Sequence, residues 1–202
     1  MSVPDDPEQL KQLYLPPDDE FVFVDVPEMQ FAMIDGEGDH ESDVFRTATR
    51  WLSAALDPIK RIARQRMGTR FVEPPLEVLW WADDMADLIG GDRARFKWRQ
   101  MIVTADWVTS TMLDDGVASA APRLGERPAT LRLEQFDEGR CVQIMHVGLE
   151  SEAVPTMARL HDEFLPAHDL VAVGAHHEIY LSDPDRVAPE KMRTVLRQAV
   201  RG

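Results

Sequence analysis

His176-His177-Glu178-Ile179-Tyr180-Leu181 is the stretch from which the rest of this chain can be read. Its apolar and aromatic residues read as a strand bounded by the turn Ser182-Asp183-Pro184-Asp185. Successive strand side chains point to opposite faces, so His177, Ile179 and Leu181 share one face and Glu178 and Tyr180 the other. With Ile179 and Leu181 packed into a helix layer, Glu178 and Tyr180 are expected to project from the opposite, concave side. A carboxylate beside a phenol can orient a cation, accept a proton or polarise a water. Desolvation is expected to raise the carboxyl pKa. An exposed strand acid is the plainer alternative, and parity alone leaves it open. Parity also parts the two histidines, and the helical His-Glu-x-x-His spacing is absent. No metal or other cofactor is expected.

Working outward, Phe21 to Val24 and Gln30 to Ile34 read as strand on either side of Pro27, and Asp35-Gly36-Glu37-Gly38 as a turn. A helix follows, with Ser42 as N-cap and Phe45, Ala48, Leu52, Leu56 and Ile59 at helical spacing. Pro58 predicts a kink or a restart within it. Leu76–Trp81 and Phe96–Val103 read as a hairpin across the polar loop from Ala82 to Ala94. Residues 109–128 read ambiguously: a short helix from Thr109 to Ala120 with Gly125 to Pro128 as a connector is one reading. The second half repeats the order: strands at Thr130–Phe136 and Arg140–Val147 about a turn at Asp137-Glu138-Gly139. A helix capped by Ser151 then carries Met157, Leu160 and Phe164, and the His177–Leu181 strand follows. Pro189 is placed to open a C-terminal helix with Met192, Val195 and Leu196 inward. Strands broken by two long helices indicate an α+β fold with the helices on one face of an antiparallel sheet, in a duplicated strand–helix–strand–strand layout. Residues 1–20 form a Pro- and acid-rich lead-in that Leu10, Leu13, Tyr14 and Leu15 dock. Residues 21–202 read as a single domain with pseudo-repeats at about 21–108 and 129–202.

Composition narrows the function. The net charge of −14 opposes a phosphate backbone. The densest basic run, Lys60-Arg61 through Arg64, Arg66 and Arg70, sits at a helix C-terminus, where cations offset the negative end. No nucleic-acid partner is expected. No apolar stretch nears the ~20 residues of a membrane span. One cysteine and no leader-like N-terminus indicate a reducing, cytoplasmic setting. Cys141, in an apolar strand, reads as a small buried hydrophobe. Serine-hydrolase elbows, phosphate loops and dinucleotide fingerprints are absent. Five tryptophans stand out in a chain with only 7% aromatic residues. Trp80 and Trp81 must face opposite sides of their strand, and Trp offers a wide face for flat or cationic ligands. Core packing is the plainer reading of any one of them.

Several strings carry a resemblance: Pro75-Leu76-Glu77-Val78-Leu79-Trp80-Trp81, Trp98 with Met101-Ile102, and Cys141-Val142-Gln143-Ile144-Met145-His146-Val147-Gly148. His176-His177-Glu178-Ile179-Tyr180-Leu181-Ser182-Asp183-Pro184 and Ala188-Pro189-Glu190-Lys191-Met192 with Val195-Leu196-Arg197 add to it. In this order, over roughly residues 11–201, the chain resembles the GyrI-like small-molecule-binding family of bacterial proteins. The resemblance implies a central pocket lined by aromatics with an acid inside. Related domains are effector-binding modules of multidrug-responsive activators, which hold lipophilic aromatic cations. Stand-alone members are similar to hydrolases that open cyclopropane rings in DNA-alkylating natural products, a self-protective activity. Carried onto this sequence, Glu178 and Tyr180 are the catalytic candidates, and Trp80, Trp81, Glu77, Trp98, Met101 and His146 the ligand-binding ones. Val78 stands where this branch usually has Gly, which alters the pocket rim. Acid- and Ala-rich Leu113 to Ala121 falls where the branch is basic. Three functions follow: binding of flat, lipophilic molecules, cations included; hydrolysis of strained electrophilic rings; and regulation of a larger enzyme through a protein partner.

Overall fold

Two very short connections govern the shape of the sheet. The computed structural model describes residues 7–68, 71–83 and 95–202. Its elements are α1 (Pro7–Tyr14), β1 (Val22–Val26), β2 (Met29–Glu37), α2 (Asp43–Met67), β3 (Leu76–Trp81), β4 (Lys97–Thr104), α3 (Ser110–Leu124), β5 (Arg132–Phe136), β6 (Gly139–Val147), α4 (Val154–Arg159), α5 (Leu165–Ala167), β7 (Val171–Tyr180) and β8 (Arg193–Arg201). A π-helical turn, Leu160–Phe164, joins α4 to α5. The strands form one antiparallel sheet in the order β1-β6-β8-β7-β3-β4-β2-β5. Pro27 and Glu28 alone link β1 to β2, which stand first and seventh in that order. Six flat strand spacings would span about 29 Å, whereas the step from Val26 to Met29 reaches only about 11 Å. Asp137 and Glu138 impose the same closure on β5 and β6. The sheet must therefore curl. One face gathers buried and half-buried groups from all eight strands into a single cluster, Met33, Met101, Leu79 and Cys141 among them, which marks it as the inside of the curl.

Exchange of the two halves leaves the strand order unchanged, with the seam between β3 and β7. Each half is thus strand-strand-helix-strand-strand, and its first strand pairs in the other half: β1 with β6, β5 with β2. Consecutive strands usually neighbour each other; here the curl separates them laterally while keeping their ends close. The expected β3–β4 hairpin pairing is present, and residues 84–94 of its loop lie outside the described residues.

α2, α3 and the segment from α4 to α5 cover the outer face. Ser42 caps α2 by accepting from the Phe45 amide, as read from the sequence. α2 runs through Pro58 without a restart. Ala54, Ala55, Leu56 and Ile59 are buried on both sides of that proline, and this packing outweighs the ~3 kcal/mol that an interior proline costs. Gln100 of β4 donates to the Phe45 carbonyl and accepts from Thr49, which latches α2 to the sheet. α3, capped by Thr109, crosses α2 at Gly116, where a Cβ would lie 1.9 Å from the Ala55 carbonyl oxygen. Lys60 and Arg64 pair with Glu73, and Arg66 lies over Trp107, so these cations have partners within the fold; Arg70 lies outside the described residues.

Two expectations about helices fail. Ser151 is not the cap of α4; it lies in a 3-10 turn, and Ala153 precedes the helix without a side-chain cap. The C-terminal segment is not a helix but β8, preceded by a single 3-10 turn at Pro189–Lys191. β8 lies between β6 and β7, and Val195, Leu196, Arg197 and Gln198 are all buried. A strand buried on both faces shows no alternation, so spacing of three and four among Met192, Val195 and Leu196 mimicked a helix.

A buried charge network ties α1 to the inner face. His177 lies between Glu138, 2.9 Å away, and Glu77, 3.1 Å away. The contact with Glu77 falls short of hydrogen-bond alignment, so it acts as an ion pair. Arg197 donates to Glu138, to Gln143 and to the Leu13 carbonyl, and Tyr14 donates to Glu77. Leu13 is fully buried while Leu15 is 48% exposed. Cys141 is buried, as expected, and burial pushes its thiol far up. Among the described residues no helix is long and apolar enough to cross a membrane.

Two predictions follow from this packing. Gly116→Ala should destabilise the fold by about 3 kcal/mol, the upper end for overpacking, and a urea midpoint equal to wild type would refute the close helix crossing. The second concerns pH. Burial opposes the charge on His177, but Glu138 and Glu77 raise its pKa from 6.5 to about 9. Its contribution to stability is complete below pH 6.5 and lost as pH climbs through about 9. Burial likewise opposes the charge on Glu138, but His177 and Arg197 hold it at about 2 instead of 4.5. That contribution is complete above pH 4.5 and lost as pH falls through about 2. The melting temperature should therefore peak between pH 4.5 and 6.5; a rise from 6.5 towards 9 would contradict the ion pair.

Candidate functional site

Residues directly opposite across antiparallel strands share a face. Across the seam, Val78 opposes Glu178 and Trp80 opposes His176. Across β8, Gln198 opposes His176, Leu196 opposes Glu178 and Thr194 opposes Tyr180. These registers place Val78, Trp80, His176, Glu178 and Tyr180 together on the outer, helix-covered face. This corrects the expected orientation. Glu178 and Tyr180 turn towards the helices, whereas Ile179 packs with Met145 and Val195 on the inner face. The parity was right, but the face was assigned the wrong way round, because both faces of the central strands are apolar. Helix cover on the outer face falls into separate clusters. α2 and α3 pack over β2, β3 and β4, and the segment from α4 to α5 packs over β6 and β8. Glu178 lies between them.

Glu178 is 8% exposed. Its Oε2 accepts from the Trp80 indole at 3.2 Å and from the Tyr180 hydroxyl. Its Oε1 faces His176 Nε2 at 3.5 Å, outside hydrogen-bond geometry. Burial raises the carboxyl pKa, as expected, but His176, Tyr180 and Trp80 outweigh it, and the group titrates below its usual range. The net shift is therefore opposite to that expected from burial alone. The acid is ionised, with one oxygen saturated by two donors and the other facing only an imidazole among the described residues. Such a carboxylate can pair with a cation, accept a ligand's donor or orient a water.

Trp80 stacks on Phe45 of α2, with centroids 5.4 Å apart and planes within 8°, and meets Phe96 edge-on. One face of the indole is thus occupied by the protein. Backbone irregularities flank the site. β7 bulges between Ala172 and His176, with Gly174 at φ 69°, and the π-helical turn carries His161. Bulges and π turns both re-aim side chains, frequently at functional sites.

Of the eight residues expected at the site, the fold brings together Glu178, Tyr180 and Trp80. Trp98 shares their face but is fully buried under α2, lying over Gly36 and edge-on to Phe45. Glu77 and Met101 are fully buried on the inner face, and Trp81 packs there half-buried. His146 is on the outer face of β6, with its Nε2 at 2.8 Å from the Leu149 carbonyl. His176 was not singled out, although the parity that pairs Glu178 with Tyr180 applies equally two residues earlier. Glu138 and Arg197 were read as turn and helix residues, with no signal of burial. Among the described residues no cluster of three metal-ligating groups forms. A separate open groove of about 800 Å³ runs between α1 and β1, lined by Lys11, Leu15, Phe23 and Arg140. β1 is three strand positions from β7, so this groove is not the Glu178 site.

The sequence matches the model of the GyrI-like small molecule binding domain over residues 19–198. An uncharacterized conserved protein from Listeria innocua is 35% identical, with a TM-score of 0.83 over 96% of this chain and 98% of that one. A hydrolase from Listeria innocua is likewise 35% identical, with a TM-score of 0.77 and the same coverage. The C-terminal domain of EcmrR has a TM-score of 0.57 over 90% of this chain and 97% of that domain, at 9% identity, a likeness of fold alone. Comparison with curated proteins finds no match.

Proposed function

The chain belongs to the GyrI-like small-molecule-binding family, and on that premise we propose that it binds flat, lipophilic small molecules against Glu178, Tyr180 and Trp80. The observation that carries this reading is a buried, ionised carboxylate with one oxygen that accepts no aligned hydrogen bond among the described residues. Oε2 is committed to Trp80 and Tyr180, and Oε1 is left to meet a ligand. Desolvation strengthens any polar contact made there, and the apolar surroundings contributed by Trp80 and Phe45 suit an aromatic body. Glu178→Gln should weaken binding of such ligands by about tenfold or more, the loss typical of a charge-assisted hydrogen bond. Thermal shift and fluorescence with a panel of aromatic dyes check this; equal affinity in the variant, or no ligand at all, would overturn it.

Hydrolysis is the second reading, supported by the 35% identity to the Listeria hydrolase and by the position of Tyr180. Glu178 Oε1 would accept a hydrogen bond from the attacking water. Tyr180 would turn its one O–H from Glu178 Oε2 to the oxyanion that develops as a strained ring opens. Tyr180→Phe should then lower turnover about a hundredfold, as for one lost oxyanion donor, while leaving binding largely intact. The assay is mass spectrometry of the ring-opened product from a cyclopropane-bearing alkylator. Product at the level of the buffer control would exclude hydrolysis and leave binding as the function.

A further inference from the structure

Among the described residues His176 faces Glu178 at 3.5 Å but makes no hydrogen bond. It is 8% exposed, yet neither ring nitrogen makes a hydrogen bond among the described residues. Gln198 stands directly opposite on β8 and is fully buried, and its Oε1 also lacks a partner. Three unsatisfied polar atoms thus occupy adjacent register positions on the face that carries Glu178. Buried polar atoms in native proteins nearly always have partners, so this corner is built to receive a polar group from outside the chain. The β7 bulge ends at His176.

We propose that His176 determines which ligands the Glu178 site accepts. In its cationic form it is the counter-charge of Glu178 and makes the site favour a neutral ligand carrying a hydrogen-bond acceptor. When it is neutral, the carboxylate is uncompensated and the site favours an aromatic cation. The inference rests on the binding function proposed above and assigns its substrate class.

The physical basis is short range. A ligand cation at Glu178 Oε1 would sit beside an imidazole that lies 3.5 Å from the same oxygen, and two like charges at that separation in a water-poor site are strongly unfavourable. A neutral acceptor meets the opposite situation, since imidazolium offers it an N–H donor. Among the described residues the groups facing His176 are Glu178 and Tyr180 on its own strand, Trp80 on β3 and Gln198 on β8, together with His161 of the π-helical turn. Burial, with the charge of His176, holds His161 below its ordinary pKa. His161 therefore does not replace His176 as the cation of the site.

The experiment uses two probes of one shape: N-methylquinolinium, a cation, and quinoline N-oxide, a neutral acceptor. Binding to the full chain is measured by calorimetry in two buffers of different ionisation enthalpy, at about pH 5.5 and about pH 8. The cation should bind at least about tenfold more tightly at the higher pH, and release a proton on binding at the lower one, as linkage requires. The N-oxide should show no such gain. In His176→Gln the cation should bind at low pH as it does to wild type at high pH, with the pH dependence gone. Cation affinity that is flat with pH, without proton release, would overturn the role of His176. If Glu178→Gln still abolished binding in that case, the binding function itself would stand. Binding of neither probe to wild type would overturn both. Should His176→Gln fail to fold, the pH dependence and proton release of wild type decide alone.

Discussion

Pairing of β3 with β7 is the constraint on which the rest of this structure depends. It joins the two halves of the chain at the centre of the sheet, with Val78 opposite Glu178. Because strand side chains alternate, one register sets the contents of both faces. On the outer face it brings Trp80 to Glu178. On the inner face it brings Glu77 to His177. A slip by one residue would exchange these sets, parting Glu178 from Trp80 and Glu77 from His177.

The two faces then treat a buried carboxylate differently. On the inner face the buried charges are paired: Glu77, Glu138, His177 and Arg197 are held together, with Tyr14 and a carbonyl of α1 completing the set. Such a network adds little net stability over apolar packing, but removing one partner strands a buried charge at a cost of about 3–5 kcal/mol. It therefore acts as a latch for α1 and for the register. On the outer face the matching is incomplete, since Glu178 has donors on one oxygen and an unaligned imidazole at the other. Unfinished hydrogen bonding is a property of a binding site, and it occurs on the face where the described helices pack in two separate groups.

Much of the fold is legible locally. The α2 helix is declared by its Ser42 cap and its apolar spacing, and the β3–β4 hairpin by two apolar runs. β8 is not, because burial on both faces erases the alternation that identifies a strand. Nor is the exchange of first strands between halves, because Pro27-Glu28 and Asp137-Glu138 look like ordinary tight turns. Only closure of a curled sheet shows that the strands they join do not pair. Within the site, Glu178 and Tyr180 follow from parity, and His176 follows from the same parity once its neighbours are known. Trp98, Glu77 and Met101 share motif strings with the site residues, yet the fold buries them elsewhere.

By itself the sequence determined the α+β class, the family resemblance, the pairing of Glu178 with Tyr180, and the separation of Glu178 from His177. These rest on periodicity and on local chemistry, which a single segment contains. Tertiary structure alone decided which face Glu178 occupies, that Trp80 rather than Trp81 meets it, and that His176 stands at its second oxygen. It also decided that donors, rather than burial, govern the acid's titration. The face and the Trp80 contact depend on what lies across the strand or above the sheet, about a hundred residues away in the chain (Trp80 and Glu178 are separated by 98), and the adjacent His176 and Tyr180 act on Glu178 as they do because that face is buried.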